Sequence, residues 1–169
     1  MSGSVPMIWG MTTSTFTLVH VLLSLVGIAS GMITALGLLA GKRLHGWTVL
    51  FLITTIATSV TGFGFPVDRL LPSHIVGIVS LAVLAVAIVA RYWFRLAGAW
   101  RPTYVICAAA ALYLNAFVLV VQAFLKVPQL KAAAPQQTEP VFLLAQAMVL
   151  IVSIGLTIVA ARYFRGDVP

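Results

Sequence analysis

The chain has 169 residues, 62% of them hydrophobic and 8% charged, with a mean hydropathy of +1.12. A soluble domain of this length needs far more charge to cover its surface. The composition therefore predicts an all-α integral membrane bundle in contact with the lipid bilayer. Its net charge of +7 follows from membrane orientation, worked out below, without a nucleic-acid partner.

A spanning helix needs about 20 mainly apolar residues to cross roughly 30 Å of hydrocarbon. Five segments meet or approach this length: Phe16–Ala40, Trp47–Phe65, Ser73–Phe94, Thr103–Leu125 and Val141–Phe164. They predict a single transmembrane helical domain over residues 1–169. The second segment is the shortest and carries Thr54, Thr55, Thr58, Ser59 and Thr61, which makes it the weakest of the five. The first 15 residues hold no Lys or Arg, so no secretory n-region is expected.

The connections are short. Gly41–Gly46 joins the first two spans and Gly98–Pro102 the third and fourth. Between Gly62 and Pro72 the glycines and prolines mark helix ends, with Pro72 in the first turn of the third span. An exposed ion pair is expected at Asp68 and Arg69, where it contributes little. Val127–Pro140 is the longest connection, and Thr138 is the expected N-cap of the last span, with Glu139 in its first turn.

With five spans, Arg69, Lys126 and Lys131 fall on one side. Lys42, Arg43, Arg91, Arg95, Arg101, Arg162 and Arg165 fall on the other. The excess of cations places the second group in the cytoplasm, with the N-terminus outside and the C-terminus inside. Tyr92, Trp93, Trp100 and Tyr163 beside these cations are expected to form an aromatic belt.

Ionisable residues inside spans are costly and count as functional candidates. His20 and His74 each stand just inside the outer end of a span, and these two spans run parallel. Below His20 the same helix face carries Ser24, Gly27, Gly31 and Ala35, a stripe of small residues. Such a stripe can leave room for a flat macrocycle, and two neutral imidazoles on facing helices can hold b-type haem iron. The same Gly27-x-x-x-Gly31 spacing is also the signature of close helix packing. Gln122 and Gln146 fall in the outer half of the fourth and fifth spans, so His20, His74, Gln122 and Gln146 are expected to line one polar pocket for haem or quinone. The competing expectation is that these side chains bond helix to helix, which is the reading preferred for Asn115, Ser153 and Thr157. His45 is expected to be solvated on the cytoplasmic side. Cys107, the one cysteine, reads as inert packing.

The acids Asp68, Glu139 and Asp167 all lie outside the spans. A carboxylate-based proton relay is therefore absent from the sequence, which weakens a transporter reading. No hydrolase triad, HExxH pair, phosphate loop or metal-ligand cluster is present, and no catalytic residue is assigned. Two expectations remain. One is a redox or electron-transfer component that binds haem b or quinone. The other is a non-catalytic subunit that assembles with partner membrane proteins or with itself.

The segments Ala57–Pro66 (ATSVTGFGFP), Leu70–Gly77 (LLPSHIVG), Leu112–Phe117 (LYLNAF) and Val120–Lys126 resemble a group of short, uncharacterised bacterial multi-spanning membrane proteins. The resemblance covers most of the chain from about Leu18 to Arg165. It implies a multi-pass protein of the bacterial inner membrane and carries over no functional residues.

Overall fold

The computed structural model describes residues 7–66 and 72–164. The expected Asp68–Arg69 pair, Arg165 and Asp167 lie outside the described residues. The described chain is built almost wholly of helices: α1 (Thr13–Leu39), α2 (His45–Gly62), α3 (Pro72–Ile88), α4 (Trp100–Lys126), the short α5 (Pro128–Ala133) and α6 (Pro140–Tyr163). A two-residue hairpin precedes them, pairing β1 (Met7–Ile8) with β2 (Met11–Thr12). Trp9 and Gly10 both have positive φ, 50° and 78°, as the tight turn between such strands requires.

Four helical segments are long and apolar enough to cross a membrane: Thr13–Leu39, Ser73–Trp93, Trp100–Lys126 and Pro140–Tyr163. α2 forms a helix of 18 residues where the second span was expected. Its hydroxyls and His45 lower its apolar character, and it does not join the four.

Local sequence explains the helix ends. Thr12 caps α1, its side chain accepting from the Thr15 amide at 3.2 Å. At the other end Gly41 takes φ 70°, Gly41 N donates to Leu38 O, and Lys42 N donates to Gly37 O. This Schellman closure turns the chain directly into α2. α6 begins one residue later than its expected cap: Glu139, not Thr138, is the N-cap, because Pro140 occupies the first helical position and needs no amide partner. Glu139 folds back instead, accepting from Gln136 N at 3.1 Å and Thr138 N at 2.9 Å.

α3 passes into a π-helical turn, Val89–Trp93, before the loop to α4. In that loop Arg95 and Leu96 hold positive φ, 48° and 62°, a conformation uncommon outside glycine. Phe94 and Trp100 stack at 3.9 Å across it.

α2 packs between α1 and α3, and α4 packs on α1, α3 and α6. α1 and α3 therefore stand on opposite flanks of α2. One core joins Leu38, Phe51, Leu52, Leu84, Tyr104, Val105 and Phe164. A smaller one, Phe124, Ala134 and Phe142, holds α5 and the start of α6 against the end of α4. In lipid, such contacts act through close packing more than through removal from water.

Candidate functional site

The chain direction of the helices brings the ends bearing His20 and His74 to the same side of the bundle, and both imidazoles meet the C-terminal end of α2. They meet it at different residues. His20 Nδ1 lies 2.8 Å from Thr61 Oγ1. The single Thr61 hydroxyl proton is directed at Ala57 O (2.7 Å) and shared with Thr58 O (3.1 Å). With that proton on the carbonyls, Thr61 oxygen accepts from His20 Nδ1–H, and in the neutral ring this tautomer leaves the lone pair on Nε2. Phe65 stands edge-on to the His20 ring at 5.2 Å, Phe16 meets Phe65 at 5.1 Å, and Trp9 meets Phe16 at 5.4 Å. This chain of rings closes over the half-buried histidine.

His74 is buried and stacks on Phe63 with ring centroids 5.6 Å apart. A Cβ on Gly77 would lie 3.1 Å from the Phe63 ring, so that glycine lets Phe63 settle between α2 and α3. The two histidines thus flank the end of α2, His20 on the α1 side and His74 on the α3 side.

The small-residue stripe below His20 is filled. A Cβ on Gly31 would come within 2.8 Å of both Phe51 and Leu112. One on Gly27 would meet Thr54 and Thr55 Oγ1 at 3.3 Å and Asn115 Nδ2 at 3.5 Å. Both glycines let α1 approach α2 closely, with side chains of α4 closing the third side. In that three-helix contact Asn115 Nδ2 donates to Thr55 Oγ1 at 3.1 Å, fully buried. On the other flank of α2, Ser59 donates to Ser80 of α3 at 3.3 Å.

The two glutamines do not join the histidines. Gln122 is exposed. Gln146 Nε2 donates to Phe117 O of α4 at 3.3 Å, within the α4–α6 contact, and its Oε1 is buried without a partner. Gln137, not singled out from sequence, does the same work nearby, donating to Val121 O at 2.9 Å. Among the other polar residues, Thr157 bonds back to Ser153 O in its own helix. Among the described residues, two of the cavities lie away from His20, His74, Gln122 and Gln146, none of which lines them. One of about 20 Å³ lies among α1, α2, α4 and α6, where the buried Thr34 hydroxyl has no partner. The other, of about 230 Å³, is an open groove between α4 and α6 lined by Ile106, Tyr113, Leu150 and Ser153 among others.

At the opposite end of the bundle, sequence reading missed Arg91. It was counted only as a topogenic charge, yet it is 8% exposed, and its guanidinium lies over the rings of Tyr104 (5.3 Å) and Tyr92 (5.7 Å). The signal available was its place on one helical stripe with Leu84 and Ala87, both buried. His45 is exposed, as expected, and meets Tyr92 edge-on at 6.4 Å. Cys107 is a half-buried free thiol.

No family model, no curated protein and no solved structure matches the chain.

Proposed function

We propose that the chain is a five-span protein of the bacterial inner membrane, N-terminus outside and C-terminus in the cytoplasm, acting as a non-catalytic subunit that receives a partner transmembrane helix along α6. The fifth span of this reading is α2, about 27 Å long at 1.5 Å per residue. Its hydroxyls face neighbouring helices, which makes a modest hydropathy compatible with a bilayer. The orientation rests on the cation imbalance between the two sides.

The observation that carries the subunit reading is where the polar side chains go. His20, Asn115, Ser59 and Gln146 each bond across a helix contact, and these contacts are different ones. They act as glue between helices and do not converge on a substrate. α6 is the complement: of its 24 residues only Phe142 and Ala160 are buried. A Cβ on Gly155 would meet nothing within 4 Å, so a second helix can approach there closely. The test is native mass spectrometry of the protein extracted in lipid nanodiscs. The expected particle carries protein beyond one 18.0 kDa chain, and Gly155→Leu removes that excess. A particle with one chain and lipid alone would overturn the reading.

A second reading, a redox role with haem b or quinone, is favoured by one observation. Donation from Nδ1 leaves His20 Nε2 with a free lone pair, the state that ligates haem iron or accepts from a quinol hydroxyl. A dithionite-reduced minus oxidised spectrum with a haem band that disappears in His20→Ala, and also in His74→Ala if both are ligands, would establish the haem form. A featureless spectrum removes it, and extraction of the purified protein for quinone tests the other form.

A further inference from the structure

We propose that Arg91 forms a binding site for a phosphate-bearing anion, supplied by an anionic phospholipid headgroup, at the corner where α2 and α4 begin and α3 ends. This is independent of whether α6 receives a partner.

The argument starts from a charge that the fold has enclosed. A buried cation is costly unless matched by an anion and by hydrogen-bond acceptors. A guanidinium offers five N–H donors in a fixed fork, suited to two oxygens of one phosphate. Among the described residues Arg91 makes a single side-chain hydrogen bond, from its Nη1 to the Tyr104 hydroxyl at a long 3.4 Å. The remaining company is two aromatic faces. The one carboxylate among the described residues, Glu139, lies at the other end of the bundle. The positive charge is thus held in place by packing and left without a counter-charge among the described residues.

The surroundings point to the class of ligand. Tyr104 is fully buried and its hydroxyl also interacts with Thr48 in the first turn of α2, which fixes the guanidinium against two helices. Tyr92 links Arg91 to His45, the first residue of α2. Lys42, Arg43 and Arg95 are exposed at this end, and Arg101 is half-buried. Trp93, 80% exposed, and Tyr163, 66% exposed, stand beside the same end, where amphipathic rings suit the headgroup level of a bilayer. Exposed cations attract any anionic surface and lose that attraction in salt. A fixed, desolvated guanidinium adds a saturable contact that salt screens much less.

That difference supplies the experiment. The intact chain is placed in nanodiscs of phosphatidylcholine containing phosphatidylglycerol, and bound lipid is counted by native mass spectrometry in a volatile ammonium salt at ~1 M, where the Debye length is about 3 Å. The expected result is retained phosphatidylglycerol in the native protein and in Arg95→Gln, an about tenfold weaker retention in Arg91→Gln, and a partial loss in Arg91→Lys, which keeps the charge but not the fork. Inorganic phosphate is added in a parallel arm without anionic lipid. Stabilisation there that Arg91→Gln abolishes supports the phosphate site and assigns a soluble anion as the source. Arg91→Lys also guards against a folding defect, since it fills the same space. Equal lipid and phosphate binding in the native protein, Arg91→Gln and Arg91→Lys would overturn the proposal. So would an Asp167→Asn variant that reproduces the destabilisation of Arg91→Gln with lipid binding unaltered, because Arg91 would then serve an internal ion pair.

Discussion

α2 and α6 invert the usual relation between composition and position. α6 is among the most apolar helices, yet in its most apolar stretch 6% of the residues are buried. α2 is not apolar enough to stand among the four, yet Thr48, Thr54, Thr55, Thr58 and Ser59 are all buried within it, together with Phe51 and Leu52. In water an apolar residue gains by turning inward. In hydrocarbon the outside is already apolar, so the interior is sorted by shape and hydrogen bonding. The helix with buried hydroxyls to satisfy goes to the middle, and the helix with fewer polar side chains goes to the rim.

The strongest way to break this comparison is to overfill α1 where it meets α2. Gly31→Leu must displace Phe51 or Leu112, and it should cost about 3 kcal/mol or more, read as a fall in the thermal midpoint of helix loss in detergent. The matching change on α6, Gly155→Leu, meets open space and should leave the midpoint of the partner-free chain unmoved or slightly raised, since leucine is the better helix former by roughly 0.8 kcal/mol. Equal losses in the two variants would erase the distinction. Asn115→Leu comes next: it strands Thr55 in a buried contact and should cost about 1–2 kcal/mol without altering any ligand-derived absorbance. Thr61→Val removes the acceptor of His20 Nδ1–H and should cost about 1 kcal/mol.

The smallest effect belongs to the loop before α6. Desolvation at Glu139 works against ionisation, but it is outweighed by the backbone amides of Gln136, Glu139, Thr138 and Gln137, and the carboxyl is held below its ordinary pKa. A lowered folded pKa means that the contribution is complete above the ordinary glutamate range and disappears as pH falls through the folded value. The difference in midpoint between the native protein and Glu139→Gln should therefore be constant at neutral pH and vanish in acid. A difference that grows on acidification contradicts this assignment.

Much of the helical framework was legible because hydropathy and Gly or Pro punctuation are local properties. The bounds shifted by a few residues where caps decide them, as at Thr12 and Glu139, and α5 was hidden within a connection too short to show a periodic pattern. The site was less legible. Spacing along α1 showed that His20, Gly27 and Gly31 share a face, but not what fills that face. Phe51, Leu112 and Thr61 come from other helices, and their placement depends on crossing angles and register that no single segment encodes. Gln146 lies in the N-terminal half of α6, and the packing of α6 on α4 sends its amide to Phe117 O and away from the histidines. Arg91 was read as one of many cations because its sequence neighbours, Tyr92 and Trp93, are surface residues.

The inward hydroxyls of α2 also bear on how the chain enters the membrane. Taken alone, α2 would expose a row of threonines to hydrocarbon and gain little by leaving the translocation channel. The Gly41 turn leaves only a short link to α1, whose Gly27 lies against that row and whose Gly31 meets Phe51 beside it. On the five-span reading, α1 and α2 insert as one hairpin, with α1 holding α2 at the channel exit until the pair has formed. A longer, flexible link in place of 40–44 would then lower the yield of correctly oriented protein during synthesis far more than it lowers the stability of the finished fold.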